Sequence, residues 1–143
     1  MTAKPKQPLE SQTQAAVLDW ARLTPMPKGP HIEEGARISR YLIAIPNDGK
    51  RSRRAGASAK QRGLLPGVSD LFLAAPAGKY PGFWLELKRR PNKLTPQQHH
   101  WLDRMSLAGY AIGIAYSYDE AVRLICLYLN IPPPPGIRQC AVS

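Results

Sequence analysis

Three charged residues near the middle of the chain are spaced to do chemistry together. They are Asp70, in "SDLFLAAP", and Glu86 and Lys88, in "FWLELKRR". A strand turns alternate side chains to opposite faces, so Phe83, Leu85 and Leu87 share one face and Trp84, Glu86 and Lys88 the other. The intervening "AGKYPG" is a turn sequence that joins neighbouring antiparallel strands, and such a hairpin brings Asp70 beside Glu86. Two carboxylates about 4 Å apart repel by roughly 4 kcal/mol at an effective dielectric of ~20. A divalent cation between them removes that cost. Two carboxylates with a backbone carbonyl and waters are hard oxygen ligands, which suit Mg²⁺ or Mn²⁺ rather than zinc. Lys88 is then placed to reach a water or phosphate oxygen on that ion and steady developing negative charge. The competing reading is a Glu86–Lys88 ion pair at the rim of the sheet, and an acid two positions before a lysine is a weak pattern by itself.

The elements that must position these groups follow from periodicity and punctuation. "LESQTQAAVLDWARL" (Leu9–Leu23) reads as a helix with Glu10, Gln14, Val17 and Ala21 on one stripe, and "TPMPKGP" breaks it. Arg40–Pro46 and Ser69–Pro76 read as strands, with Lys50–Arg62 between them partly helical. After the hairpin, Thr95 is an N-cap, Pro96 a first helical residue and Gln98 the capping-box partner, and Gly109 ends that helix. Tyr110–Tyr116 reads as a short buried strand. Ser117 and Glu120 repeat the capping box for a last helix with Ala121, Leu124, Ile125 and Tyr128 on one face. The order is that of an α/β fold, a small mixed β-sheet flanked by helices, with a parallel crossover from the Glu86 strand to Tyr110–Tyr116. Residues 1–8 read as a basic lead-in, 9–130 as one domain, and 131–143 as a Pro-rich tail.

The bulk properties narrow the partners. The chain has 143 residues and a formal charge of +10, from 20 basic and 10 acidic side chains, which favours an anionic partner such as nucleic acid. There is no signal-peptide pattern and no bilayer-length apolar run, so a cytoplasmic protein without membrane partner is expected. Neither of the two cysteines, Cys126 and Cys140, has metal-ligand spacing, and Cys126 reads as a small buried hydrophobe. His99 and His100 are adjacent on a helix and cannot face one metal together; with His31 they read as surface residues. Lys50, Arg51, Arg53, Arg54, Lys60 and Arg62 form a run without an acid. This run directly precedes the site strand and reads as a phosphate-backbone contact, extended by Lys79, Arg89, Arg90 and Lys93. Asn47 reads either as a turn former or as a neighbour of the site.

The run from "GVSDLFLAAP" through "FWLELKRRPNKLTPQQHHWL" to "YDEAVRLICLYL" resembles the VRR-NUC domain of the PD-(D/E)XK nuclease superfamily, in its short stand-alone form typical of phages and bacteria. "ESQTQAAVLDW" is similar to that family's first helix and "IPNDGKRS" to the loop after its first strand, so the likeness runs from about Glu10 to Leu129. The resemblance implies a restriction-endonuclease-like fold. It implies that Asp70, Glu86 and the Leu87 carbonyl bind the metal, that Lys88 is the catalytic lysine, that Glu10 orients water or helps bind a second ion, and that Gln98 is an auxiliary site residue. The implied reaction is hydrolysis of a phosphodiester with Mg²⁺ or Mn²⁺, without a small-molecule cofactor. The implied substrate is branched DNA, a four-way junction or flap, cut by a homodimer. One departure is Ser69, where the family usually has proline.

Each carried-over role has a structural rival. Glu10 is also an acid at a helix N-terminus, and Gln98 is also the partner of Thr95. Two other functions compete with the nuclease. A non-catalytic nucleic-acid-binding module on the same fold would keep the basic run and lose the acids. A basic interaction protein of a larger machine would need no acid–lysine hairpin.

Overall fold

The computed structural model describes Ala3, residues 6–46 and residues 61–137. Asn47, Lys50, Arg51, Arg53, Arg54 and Lys60, and Cys140 in the tail, lie outside the described residues.

Helix α1 spans Glu10–Leu23. The Gln12 side chain accepts the Leu9 N–H at 2.9 Å, which satisfies one donor at the helix start. At its other end the Thr24 hydroxyl donates to the Trp20 carbonyl at 2.7 Å. The helix buries Val17, Trp20 and Ala21, so the stripe that includes Glu10 and Gln14 faces inward at its apolar positions.

Four strands follow in spatial as well as sequence order: β1 (Leu42–Ala44), β2 (Leu71–Leu73), β3 (Phe83–Leu87) and β4 (Ala111–Ala115). The β1–β2 and β2–β3 pairs are antiparallel, and β3–β4 is parallel. Helix α2 (Pro96–Leu107) forms the crossover between β3 and β4, and α3 (Tyr118–Leu129) ends the unit. β1 and β2 are shorter than their apolar runs. The 3₁₀ turn Ile38–Arg40 takes the start of the first run, and single backbone bonds replace the ladder at its ends: Ile45 N–H to the Asp70 carbonyl and Ala74 N–H to the Tyr41 carbonyl, both 2.8 Å.

The sheet has two unlike faces. Phe83, Leu85 and Leu87 pack with Leu71 and Leu73 against Val17 and Ala21 of α1 and Ala121, Val122 and Ile125 of α3, all buried in one core. On the other face Phe72 stacks on Trp84 at 4.2 Å between ring centroids, and Trp101 of α2 meets Trp84 edge-on at 5.0 Å. Such pairs add to the area that the rings bury.

Two expectations need correction. β4 is not a fully buried strand: it is an edge strand, only Ala115 is buried, and Ile112 is 39% exposed. The second capping box is incomplete. Ser117 Oγ accepts the Glu120 N–H at 3.1 Å, but the Glu120 carboxylate reaches past Ser117 to the N–H of Tyr116. Ile131 and Ile137, in the Pro-rich tail, pack against the core. Cys126 is buried as expected, and burial pushes its thiol up to about 11. Among the described residues no helix is long and apolar enough to cross a membrane.

Ser69 is fully buried and its hydroxyl has no hydrogen-bond partner among the described residues. A buried unsatisfied hydroxyl costs about 1–3 kcal/mol. Ser69→Ala should therefore stabilise the protein by roughly 1 kcal/mol, read as a higher urea midpoint with an unchanged slope. A loss of stability would show that the hydroxyl has a partner in solution.

Candidate active site

The register of the hairpin decides the centre of the site. Leu71 pairs with Leu85 and Phe72 with Trp84, so the next pair outward is Asp70 with Glu86. Glu86 is 1% exposed and Asp70 9%. Asp70 is fixed from behind by the Leu87 N–H, which donates to its Oδ2 at 2.8 Å. Its backbone carbonyl is held by β1 through Ile45.

Gln98 makes the contacts of the helix cap and also reaches Glu86. Its amide oxygen accepts the Thr95 N–H at 2.9 Å, completing the capping box of α2, and its backbone N–H donates to Thr95 Oγ1 at 3.2 Å. Its amide nitrogen donates to Glu86 Oε1 at 2.8 Å. The cap therefore aims the same side chain at the carboxylate. The other Glu86 oxygen, Oε2, is buried and has no hydrogen-bond partner among the described residues. Glu86 and Lys88 form no ion pair among the described residues, so the rim ion pair is not what holds Glu86.

Burial, reinforced by the Asp70 carboxylate and opposed by Lys88, pushes the Glu86 carboxyl up to about 9. In the protonated form Asp70 shares the proton, and Glu10 adds a smaller repulsion. Two acceptor-only groups side by side need a proton or a cation between them. A buried carboxylate oxygen without a donor, beside a second carboxylate, fits a hard divalent cation. Asp70 and Glu86 would hold it.

This pair carries a pH prediction. The Glu86 carboxyl rises from 4.5 to about 9 on folding, so the folded state binds its proton more tightly than the unfolded chain. The stability this contributes is complete below about pH 4.5 and is lost as the pH climbs toward about 9. In EDTA the melting temperature should fall by several degrees between pH 5.5 and 9, while added Mg²⁺ or Mn²⁺ should stabilise more at the upper pH. A chelated protein whose melting temperature rises over that interval would contradict the buried acid pair.

On the Asp70 side of the pair lies a cleft of about 690 Å³ lined by Glu10, Gln14, Ile45, Asp70 and Gln98, among others, with Glu86 buried behind that lining. Glu10 reaches it from the first residue of α1, and its Oε1 accepts the Arg89 N–H at 3.2 Å. That bond ties the helix start to the end of β3. Gly67 does the same for the loop before Asp70: it has φ 84°, and a Cβ there would lie 2.4 Å from the Gln97 carbonyl carbon. The loop thus rests directly on the backbone that carries Gln98, a contact that only a glycine permits.

The other expected residues are dispersed. Lys88 is half-buried and borders a separate cleft with Arg90, Tyr116 and Glu120, although it is close enough to lower the Glu86 carboxyl. Arg89 and Arg90 border a further cleft with Lys6, and Arg62 is exposed. His31, His99 and His100 are exposed. Gly67, Tyr116 and Glu120 were not singled out as site residues. The glycine two residues before "SD" was the available signal for the first, and nothing local marked the others.

The chain is thus an α/β module whose mixed four-stranded sheet carries a buried acid pair at one hairpin and a helix-borne acid beside it. The family model for the VRR-NUC domain matches residues 5–119, and the chain belongs to that family. A solved structure described as a VRR_NUC domain protein has the same fold, with a TM-score of 0.72 and 22% identity over 94% of this chain and 98% of that one. The restriction-endonuclease-like architecture of the PD-(D/E)XK superfamily is consistent with both. No curated protein matches the chain. The family is nuclease-like, which makes this a nucleic-acid-acting module of hydrolase type.

Proposed function

We propose that the protein is a divalent-metal-dependent DNA endonuclease that hydrolyses phosphodiester bonds in branched DNA, a four-way junction or flap. The observation that supports this most is the buried Asp70–Glu86 pair with Glu86 Oε2 left without a donor. A divalent ion, when bound there, supplies a more acidic water and a polarised phosphate. The protein's own groups do the rest. Asp70 and Glu86 would hold the ion with the Leu87 carbonyl. The Leu87 N–H keeps Asp70 in place, and the Gln98 amide holds Glu86 by its Oε1. Glu10 lines the same cleft and orients the water that attacks phosphorus opposite the leaving oxygen. Lys88 steadies the negative charge that develops on the attacked phosphate. The surplus of basic side chains draws DNA to the site, with Lys50, Arg51, Arg53, Arg54, Lys60 and Arg62 as backbone contacts. A homodimer would place two such sites for paired cuts.

The test is cleavage of a labelled four-way junction, a flap and plain duplex with Mg²⁺, Mn²⁺ or EDTA. Cutting should need the ion and favour the branched forms. Binding without cutting in every ion would leave a non-catalytic nucleic-acid-binding module. Equal cutting of plain duplex would overturn the preference for branches.

A further inference from the structure

The cleft that Lys88 borders, about 280 Å³, is also lined by Gln7, Thr13, Arg90, Tyr116 and Glu120. A neighbouring cleft of about 310 Å³ shares Gln7 and Arg90 and adds Lys6 and Arg89. Among the described residues four cations, Lys6, Lys88, Arg89 and Arg90, thus border these two adjoining clefts, a shelf on which Glu120 is the one acid in the lining. The shelf adjoins the first turns of α1, whose Glu10 faces the carboxylate cleft and accepts a bond from Arg89.

Arg90 is held in a defined pose. Its guanidinium carbon lies 4.3 Å from the centre of the Tyr116 ring. One terminal nitrogen is 4.0 Å from Glu120 Oε1, and the other Glu120 oxygen accepts the Tyr116 N–H. Glu120 therefore holds the Tyr116 backbone and lightly tethers the guanidinium that lies on the Tyr116 ring. At 4.0 Å, with the Arg90 side chain 63% exposed, that tether is too long and too wet to hold the fold together. A guanidinium laid on an aromatic face keeps its fork of N–H donors free for a planar or tetrahedral anion. Lys88, half-buried on the same shelf, makes no ion pair among the described residues. Cations set beside aromatic rings are a means by which proteins track a single nucleic-acid strand, and here the half-buried Tyr116 supplies the ring.

We propose that this shelf is a binding subsite for the phosphate backbone of a single nucleic-acid strand next to the carboxylate cleft, with Arg90 on Tyr116 as its anchor and Glu120 as a competing anion. The proposal rests on the reading of the protein as acting on nucleic acid, but not on its cutting. The experiment is therefore done in EDTA, where cleavage plays no part. The full chain is titrated onto a fluorescein-labelled oligothymidylate and read by anisotropy over a salt series. Arg90→Gln should weaken binding by about 10-fold and make the slope of log K against log salt shallower by about 0.7. Arg90→Lys, which keeps the charge without the flat stacking, should fall between. Glu120→Gln keeps an acceptor for the Tyr116 N–H and removes the competing charge, so it should tighten binding about 3-fold. If the Arg90–Glu120 contact were only a structural tether, both neutral variants would weaken binding together, and that result would overturn the proposal. Unchanged affinity of a folded Arg90→Gln would do so as well. An equal loss on blunt duplex would overturn the assignment to a single strand.

Discussion

Glu86→Gln should reduce cutting by about 10³-fold or more at saturating Mg²⁺ and leave DNA binding in EDTA within about 2-fold of wild type. The substitution changes one oxygen into an amide nitrogen and keeps the volume. The amide oxygen can still accept the Gln98 donor that now meets Glu86 at 2.8 Å. The new amide nitrogen can donate to Asp70, which satisfies the pair without a proton or an ion. What disappears is the carboxylate oxygen that has no donor of its own, together with half of the negative charge that draws a cation. Stability separates this from simple damage. The variant lacks the titrating carboxyl that burial pushes up to about 9, so its melting temperature in EDTA should stay flat between pH 5.5 and 9 where the wild type falls. Added Mg²⁺ should no longer stabilise it. Full cutting by Glu86→Gln would remove Glu86 from the site, whatever else the fold does.

Gly67→Ala should destabilise the protein by about 3 kcal/mol or more. Two costs add. The residue sits at φ 84°, a region that an alanine occupies only with strain. Its Cβ would also lie 2.4 Å from the carbonyl carbon and 2.5 Å from the oxygen of Gln97, and neither is the loose end of a side chain. Relief requires the Gly67 loop and the start of α2 to move apart. That motion draws Gln98 away from Glu86 and shifts the entry to Asp70, because Gln98 is the next residue of the helix and Asp70 follows three positions after the glycine. At a temperature where the variant is folded, cutting should therefore fall by a further ~10-fold, as misplacement of positioning groups does. The check is chemical denaturation together with single-turnover cleavage. A variant that loses stability but cuts at the wild-type rate would separate the loop from the site.

Much of this molecule was legible because its signals are local. The hairpin is announced by its turn and by two apolar alternations of matching phase, and those alone oppose Asp70 to Glu86. The cap of α2 is written in Thr95, Pro96 and Gln98, and it forms as written. The buried character of Cys126 and the exposure of the histidines follow from their neighbours in the chain.

What stayed hidden depends on distance in the chain. That Glu10 meets the Arg89 N–H is a contact across 79 positions, and no pattern within α1 contains it. The sequence left Gln98 either a cap or a site residue, because each role uses a different end of one amide. Only the packing of α2 over the sheet lets both ends bind at once. Lys88 shows the limit in the other direction. Alternation predicts it on the face of Glu86, but β3 ends at Leu87, beyond which strand periodicity no longer governs a side chain, and Lys88 borders a separate cleft. The sequence by itself therefore determined which acids oppose each other, since a two-residue period and a turn suffice for that. The tertiary structure decided which helix ends, loops and cations surround them, because those neighbours meet only when α1, α2 and the Gly67 loop close around the sheet.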